Sequence, residues 1–389
     1  MDIIYGYSNC TDKKYNEIFA DKSVAVLQPD QKYHGLLIKG LAQNGANVRC
    51  YSGLPLNRSV TKRLFIHEPD EMEGGVYYHY YRTFNLPILR QLMIMMGAKK
   101  AVKKHKSNEK TVVICDCLNR SNAMGMLKGA KKKKIPVIMI VTDIPDFQFD
   151  QKAAAKCNKM LEKADGFIFL TEQMNERLNK HGKPYIVLEG HSDGALSAID
   201  SAEKFERQNG KKVVLYAGSI RRLYGIQNLV EGFLSARIPD IELHVYGDGD
   251  YREELEDICK NNPSVRYMGI RPNAEIVEKE QRAALLVNPR PSAPEYTKYS
   301  FPSKNMEYMV SGTPILTTKL PGMPKEYYPY VYLLEDETPK GITEKLQEIF
   351  ALSMGEREEM GANARGFVLQ HKSNVAQAKK ILKFIEENY

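Results

Sequence analysis

The sequence predicts an α/β protein with two doubly wound domains in tandem. Short apolar runs rich in β-branched side chains alternate with longer stretches of helical periodicity along the chain. The chain has 389 residues, a length that accommodates two domains of ordinary size. The alternation stops at residues 191–210, which contain few large apolar side chains and are typical of a connection between domains.

The first series of elements ends near residue 190. Helical periodicity is found at 30–45, 87–105, 121–131 and 152–163, followed by one shorter helix. The predicted strands are 2–8, 46–53, 75–82, 111–117, 135–143, 165–171 and 184–190, with 23–27 as a further candidate. Strands that alternate with helices in this way favour a parallel sheet covered by helices on both faces.

The second series begins at residue 211 and has the same character. Its predicted strands are 211–219, 241–249, 264–269, 283–290, 314–320 and 331–336, separated and followed by helices. Ligands of such sheets bind beyond the carboxyl ends of the strands, so we expect a ligand cleft between the two domains.

Charge is distributed unevenly between the two halves. The net charge of +8 arises from +9 over residues 1–200 and −1 over residues 201–389. This asymmetry predicts an anionic partner surface for the first half, or simply solvated lysines. The first part of the stretch 85–106 is apolar and the second part is basic. This stretch either lies on an anionic membrane face or packs as a helix with a solvated end.

Other classes of protein fit the composition less well. We find no signal peptide and no apolar run long enough to span a bilayer. The six cysteines lie mostly in apolar runs, which favours buried free thiols in a reducing cytoplasm over a zinc site. Lys131–Lys134 form a block at a helix end instead of interleaving with aromatic residues, so we expect no nucleic-acid partner.

The stretch "YSFPSKNMEYMVSGTPIL" (299–316) predicts a helix with unusual charges at its start. Ser300 is the expected N-cap, and Lys304 then lies where the helix dipole disfavours a cation by about 0.3–1 kcal/mol. A helix N-terminus with a hydroxyl and a lysine is a potential phosphate site. Ser303, Lys304 and Glu307 share one face, so Glu307 could accept hydrogen bonds from sugar hydroxyls. The alternative is an exposed Lys304–Glu307 ion pair.

The second half of the chain resembles family 4 of the retaining glycosyltransferases. Four stretches carry the likeness in the family's order: "VVLYAGSIRRLYGIQNLVEGF", "IELHVYGDGDYREELE", "VRYMGIRPNAEI" with "ALLVNPR", and "FPSKNMEYMVSGTPIL". The resemblance implies the GT-B fold, in which two Rossmann-like, doubly wound domains face a cleft. It implies an acceptor domain at 1–195, a donor domain at 196–371, and a helix at 372–389 that crosses back to the first domain.

The resemblance also assigns donor-binding residues. Glu307 matches the second glutamate of the family's Glu-x7-Glu motif, which holds the nucleotide ribose, but Tyr299 replaces the first. The family's phosphate-binding Arg and Lys fall at Ser219 and Tyr224, so both are lost. The cations expected to replace them are Arg221, Arg222 and Lys304. The remaining donor-side predictions are Gly218, Ser219, Ile270, Tyr299, Ser300, Phe301, Pro302 and Ser303.

The acceptor side is predicted from the first half. The glycine-rich loop of relatives corresponds here to Gln28-Pro29, and the histidine that follows their fourth strand is absent near Cys117. Asp143 ends a strand and could orient the acceptor hydroxyl or act as base, or it could simply be a turn or helix-cap residue. The acceptor-side candidates are Lys32, His34, Arg120 and Ser121, and the catalytic candidates are Asp143, Asn119 and Glu307.

Together these features predict a cytoplasmic retaining glycosyltransferase of bacterial cell-surface polysaccharide synthesis. It would move a sugar from a nucleotide-sugar donor to a glycan or polyprenyl-linked acceptor, in contact with the inner face of an anionic membrane. We expect no metal and no cofactor, and we favour a UDP-sugar over a GDP-sugar as the donor. The alternatives are a degenerate GT-B protein that binds sugar nucleotide without transfer, a sugar-nucleotide epimerase, and a phosphorylase, although no cofactor lysine is evident for the last.

Overall fold

A computed structural model describes residues 1–19, 28–56, 58, 60–195 and 211–389. The chain divides into two compact units. The N-terminal unit comprises residues 1–193 and 372–389, and the C-terminal unit comprises residues 194–371. The candidate strand at 23–27 and most of the predicted connection, residues 196–210, lie outside the described residues.

The N-terminal unit contains one large sheet, one small strand pair and seven helices before residue 193 in its described part. The strands are β1 (Asp2–Gly6), β2 (Asn47–Ser52), β3 (Phe65–Ile66), β4 (Glu71–Glu73), β5 (Val76–Tyr80), β6 (Thr83–Phe84), β7 (Thr111–Asp116), β8 (Val137–Val141), β9 (Gly166–Phe169) and β10 (Tyr185–Val187). The helices are α1 (Asp12–Phe19), α2 (Gln28–Gln43), α3 (Pro87–Lys104), α4 (Arg120–Lys133), α5 (Pro145–Gln148), α6 (Gln151–Leu161) and α7 (Glu172–Leu178).

The large sheet has the strand order β10-β9-β8-β7-β1-β2-β5-β4. All neighbours pair in parallel except β4, which runs antiparallel to β5. The order reverses between β1 and β7, the position at which ligands of doubly wound sheets bind. The central parallel strands β1, β7 and β8 are almost entirely buried, as expected where helices cover both faces of a sheet.

The described part of the C-terminal unit repeats this plan with six strands. They are β11 (Lys212–Ala217), β12 (Ile241–Tyr246), β13 (Val265–Gly269), β14 (Leu285–Asn288), β15 (Ile315–Thr318) and β16 (Tyr332–Leu334). The helices are α8 (Ile226–Ala236), α9 (Arg252–Asn261), α10 (Asn273–Arg282), α11 (Ser303–Ser311), α12 (Pro339–Ala351) and α13 (Met354–His371), with 3-10 turns at 222–224, 295–299 and 325–330. The order β13-β12-β11-β14-β15-β16 reverses between β11 and β14.

The last helix, α14 (Asn374–Asn388), belongs to the N-terminal unit and packs against α2. The chain leaves this unit and returns to it at one point, because Ser192 and Ser373 form a parallel bridge. The Ser192 N–H donates to the Lys372 carbonyl at 3.0 Å, and the Asn374 N–H donates to the Ser192 carbonyl at 2.9 Å. The Lys372 ammonium is buried beside the Glu189 carboxylate at 2.9 Å.

The structure confirms the predicted α/β alternation and adds elements that periodicity did not reveal. Strands β3, β4 and β6 and helices α1 and α5 were not predicted, and each is short. All six cysteines are free thiols, and only Cys259 is not fully buried. No helix in the described ranges is long and apolar enough to cross a membrane.

Candidate functional site

The loops at the carboxyl edge of the C-terminal sheet are joined through their backbones. The Gly218 N–H donates to the Tyr246 carbonyl, and the Gly247 N–H donates to the Gly269 carbonyl, both at 3.0 Å. Gly247 has a φ of 130°, and a Cβ there would lie 1.8 Å from the Gly218 carbonyl oxygen. Glycine is therefore required at 247, and the loops after β11, β12 and β13 form one continuous rim.

Helix α11 is held against this rim by buried polar contacts. The Tyr308 hydroxyl accepts a hydrogen bond from the Ala217 N–H at 2.9 Å and lies 3.2 Å from the Ala217 carbonyl oxygen. The Asn305 amide oxygen accepts hydrogen bonds from Asn288 at 2.6 Å and from Thr317 at 3.2 Å. These contacts fix α11 to the ends of β11, β14 and β15, which include both strands at the reversal of strand order.

The N-terminus of α11 differs from the prediction. The helix begins at Ser303, Pro302 occupies the N-cap position, and no side chain caps the first turn. The prediction of Ser300 as N-cap was wrong, because Ser300 lies two residues too early, and its buried hydroxyl has no hydrogen-bond partner. No side-chain cap therefore occupies the first backbone N–H groups of α11, which remain a potential anion site.

Lys304 lies at this N-terminus between two carboxylates. Its ammonium is 2.9 Å from a Glu307 oxygen and 3.9 Å from a Glu280 oxygen. Burial alone would lower the pKa of Lys304, but the charges of Glu307 and Glu280 outweigh it, so the pKa is raised. The side chains of Lys304 and Glu307 are 34% and 27% exposed, so the expected ion pair forms in a partly buried setting.

The other predicted donor-side residues fall into two groups. Ser219 and Gly218 line the rim after β11, and the Ser219 carbonyl accepts a hydrogen bond from the Tyr216 hydroxyl at 2.7 Å. Phe301 and Pro302 are buried, and Phe301 packs on Tyr327 with ring centroids 4.9 Å apart. Tyr299 ends the 3-10 turn that precedes α11.

The second group points toward solvent. Ile270 is 71% exposed at the end of β13, and Arg221 is exposed after β11. The guanidinium of Arg222 pairs with Glu254, hydrogen-bonds Gln227, and lies 4.8 Å from the ring centroid of Tyr251. Arg222 is thus held on the protein surface by an exposed ion pair that a ligand would have to replace.

Two charged residues at this edge were missed by the sequence analysis. Arg290 lies two residues after β14, and its guanidinium lies 4.9 Å from the ring centroid of Tyr296 and 5.5 Å from that of Tyr224. Its position just after a strand at the reversal point was the available signal. Glu280 is buried on α10, and nothing in the sequence indicates that it approaches Lys304.

The corresponding edge of the N-terminal sheet contains a buried polar network. The Tyr5 hydroxyl and His34 Nδ1 are 2.6 Å apart, and His34 Nε2 is 3.5 Å from an Asp116 carboxylate oxygen. The other Asp116 oxygen accepts from the Leu118 N–H at 2.7 Å. Tyr7 stacks on the His34 ring with centroids 3.5 Å apart. His34, predicted to be on the acceptor side, is therefore a buried member of this network.

The remaining acceptor-side predictions surround this network. Asn119, at the N-cap position of α4, donates to the Ser8 hydroxyl at 2.8 Å and so joins the loops after β1 and β7. Arg120 is exposed and lies 4.6 Å from the ring centroid of Phe149. Ser121 is half-buried on α4, and Lys32 is exposed on α2. Asp143 follows β8 and accepts a hydrogen bond from Gln148 at 2.7 Å.

Neither edge presents an evident metal site. Across residues 1–19, 28–56, 58, 60–195 and 211–389, no group of three or more His, Cys, Asp or Glu side chains is arranged to hold a metal ion. Near the carboxyl edge of the C-terminal sheet the charged side chains include Lys304, Glu307, Arg290 and Arg221, beside the N-terminus of α11.

Two family models match parts of this chain. Residues 198–367, which contain α11 and the rim, match the model "Glycosyl transferases group 1". This region carries the sequence signature of the group 1 glycosyl transferases. Residues 119–189 match the N-terminal domain model of glucosyltransferase 3-like proteins. The group 1 region thus includes every predicted donor-side residue.

Solved structures similar to the whole chain have the GT-B fold. Anabaena HepE in complex with UDP has a TM-score of 0.69 and 14% identity, with 100% of both chains covered, and it has also been solved with UDP-glucose. Sucrose-phosphate synthase from Thermosynechococcus elongatus has a TM-score of 0.67 and 15% identity, with 100% and 98% covered. The lipopolysaccharide outer core galactosyltransferase WaaB has a TM-score of 0.63 and 14% identity, with 100% of both chains covered.

These likenesses confirm the predicted GT-B fold with two Rossmann-like domains. At such low identity they establish the fold alone. No curated protein matches the chain significantly by sequence.

Proposed function

We propose that this protein is a retaining glycosyltransferase of family 4 that uses a UDP-sugar as donor. The acceptor would be a hydroxyl of a glycan or of a polyprenyl-linked glycan in bacterial cell-surface polysaccharide synthesis. The reaction would take place in the cytoplasm, at the inner face of the membrane when the acceptor is lipid-linked.

The observation that carries this proposal is the arrangement around the start of α11. A helix N-terminus without a side-chain cap, a lysine and a glutamate lie together where the strand order of the C-terminal sheet reverses. The same region matches the group 1 glycosyl transferases, and HepE, of similar fold, has been solved with UDP and UDP-glucose. These findings support a nucleotide diphosphate at Lys304 and a ribose at Glu307.

The ion pair between Lys304 and Glu307 indicates how a donor would be bound. A diphosphate oxygen at the N-terminus of α11 would replace Glu307 as the partner of Lys304, and Glu307 would become free to accept from the ribose hydroxyls. Glu280 lies behind Lys304 and would help to keep the lysine protonated throughout.

The proposed reaction exchanges one bond at the anomeric carbon for another on the same face. The bond from this carbon to the diphosphate breaks, the diphosphate leaves with the electron pair, and the acceptor oxygen forms the new glycosidic bond. The leaving diphosphate takes the hydroxyl proton, and Asp143 and Asn119 would position the acceptor. Lys304 and the helix N-terminus would stabilise the charge that develops on the diphosphate.

Thermal unfolding in the presence of nucleotides tests the proposal. We expect UDP and UDP-sugars to raise the melting temperature more than GDP, ADP or their sugars, with slow hydrolysis of the donor that binds. If no nucleoside diphosphate stabilises the protein, the proposal fails. A Glu307→Ala variant should bind UDP more weakly, whereas Glu335→Ala, which removes an exposed partner of Lys319, should bind it normally.

A second candidate function is donor binding without transfer. Tyr299 occupies the position of the glutamate that contacts the donor sugar in the family. The loss of this glutamate favours binding without transfer. A protein that binds a UDP-sugar but neither hydrolyses it nor transfers the sugar to any acceptor would support it over the transferase.

A further inference from the structure

Exposed large apolar side chains are concentrated on one part of the N-terminal unit. Fifteen such side chains are exposed in the described part of the chain, and eight of these lie on, or directly beside, helix α3 and the β3–β6 pair. Single exposed apolar residues are ordinary, but a contiguous group marks an interaction surface. This group therefore requires a partner.

The apolar group is held in a fixed arrangement. Ile88, Leu92 and Met96 are four residues apart on α3, so they form one stripe, and Ile88 is 87% exposed. The opposite side of α3 packs closely on α4. Phe65 and Phe84 lie beside this stripe with ring centroids 5.2 Å apart, and the Phe84 N–H contacts the Met93 sulfur of α3 at 3.4 Å.

The same stripe becomes basic toward the C-terminus of α3. Lys99 and Lys103 continue the line of Ile88 and Leu92, and Lys131–Lys134 extend the basic end from α4. Residues 74–108 contain seven Lys or Arg and no Asp or Glu. Residues 117–142 contain six Lys or Arg and, again, no Asp or Glu. Neither segment supplies a carboxylate that could neutralise these charges.

Two of these lysines repel each other. Lys103 and Lys132 are so close that the Lys132 charge lowers the pKa of Lys103. Proximity of like charges costs stability unless an anion lies nearby, so this contact favours an anionic partner.

We propose that this surface, which we call the α3 face (Phe65, Phe84, Ile88, Leu92, Met96, Lys99, Lys103 and Lys132), docks on an anionic lipid bilayer. The apolar side chains would enter the interfacial region while the lysines contact anionic headgroups. A helix of 18 residues is about 27 Å long, so it would reach both regions when lying along the surface. A nucleic acid would use the lysines but leave Ile88 and Leu92 in water, which argues against it.

The test measures binding of the full-length protein to sedimented vesicles, without nucleotide. We expect binding to phosphatidylcholine vesicles that contain phosphatidylglycerol, little binding to phosphatidylcholine alone, and weaker binding as salt is raised. Ile88→Ser/Leu92→Ser should weaken binding by about ten-fold or more. Lys103→Gln/Lys132→Gln should weaken it by about 30-fold, because each lysine near an anionic surface contributes about 1 kcal/mol.

Matched controls come from the C-terminal unit. Met354→Ser removes another exposed apolar side chain, and Lys340→Gln removes another exposed lysine. Both should bind vesicles like the wild type. Lys103→Gln/Lys132→Gln should not lower the melting temperature, because it relieves repulsion, so lost binding would not reflect unfolding.

Two outcomes would overturn the proposal. One is a wild-type protein that stays in the supernatant with anionic vesicles, as expected if the partner is an acidic protein. The other is α3-face variants that bind as well as the controls do. The thermal shift produced by UDP is measured separately and involves none of these residues, so failure here is distinguishable from failure of the proposed donor site.

Discussion

Both sheets reverse their strand order at the first strand of the unit, but the side chains at their carboxyl edges differ. In the N-terminal unit the buried side chains of Tyr5, His34 and Asp116 occupy the reversal point. The Tyr5 hydroxyl is hydrogen-bonded to His34, whose other ring nitrogen lies 3.5 Å from Asp116. In the C-terminal unit it is bordered by a helix without a side-chain cap and by a partly exposed Lys304–Glu307 pair. The same scaffold therefore holds a buried polar network in one unit and a partly exposed ion pair in the other.

The largest expected effect is on the buried network. Asp116→Ala should lower the free energy of unfolding by about 3 kcal/mol, because the Leu118 N–H and the Thr142 hydroxyl lose their acceptor. Asp116→Asn keeps an acceptor oxygen and should cost less. Urea denaturation measures the loss, and the UDP-induced thermal shift should persist. If Asp116→Ala were as stable as the wild type, the buried network would not contribute to the stability of the fold.

A pH dependence should accompany the burial of His191 in the same unit. Burial lowers its pKa to about 4, although its Nε2–H donates to the Tyr33 carbonyl at 2.8 Å. The unfolded chain takes up the proton first, near pH 6.5, so native stability falls as the pH drops from about 6.5 to 4, by roughly 3 kcal/mol at most. His191→Gln should flatten this dependence in urea denaturation. An identical slope in the variant would contradict the assignment.

In the C-terminal unit the largest effect should be on ligand binding. Lys304→Gln should weaken UDP binding by about 10–100-fold, since a hydrogen bond to a charged group contributes about 1.5–3 kcal/mol. Calorimetric titration measures this affinity. Lys345→Gln is the matched control, because Lys345 on α12 also pairs with a glutamate three residues later. If Lys304→Gln bound UDP as tightly as the wild type does, Lys304 would not be a ligand of the diphosphate.

The smallest effect is expected for Arg222. Its guanidinium is already engaged by Glu254 and Gln227 in an exposed pair, so Arg222→Gln should leave the free energy of unfolding almost unchanged. We expect UDP affinity to change by less than about three-fold. A ten-fold loss would instead mean that Arg222 leaves its ion pair to bind the diphosphate.

The sequence was informative where local pattern decides structure. The buried parallel strands and the long helices α2, α3 and α4 follow from apolar runs and periodicity. The strands β3 and β6 contain two residues each and carry no periodic signal. Helix α11 was located from its charges, but its N-cap was misplaced because two serines and one proline precede Lys304 closely.

Contacts between distant residues account for what the sequence could not provide. His34 meets Asp116, and Lys304 meets Glu280, only because the strand order brings their elements together. His34 was considered as a lone residue near the acceptor, yet its buried partners Tyr5 and Asp116 define what it does in the fold. Pairings of this kind depend on topology, which single-residue patterns do not encode.

The bridge between Ser192 and Ser373 has a consequence for engineering. A segment whose two ends meet at one point is an insertion in the topological sense. Residues 194–371 can then be removed and replaced by a short flexible peptide without stretching the N-terminal unit. By the same argument, the corresponding segment of another GT-B protein can be grafted at this point as a single cassette.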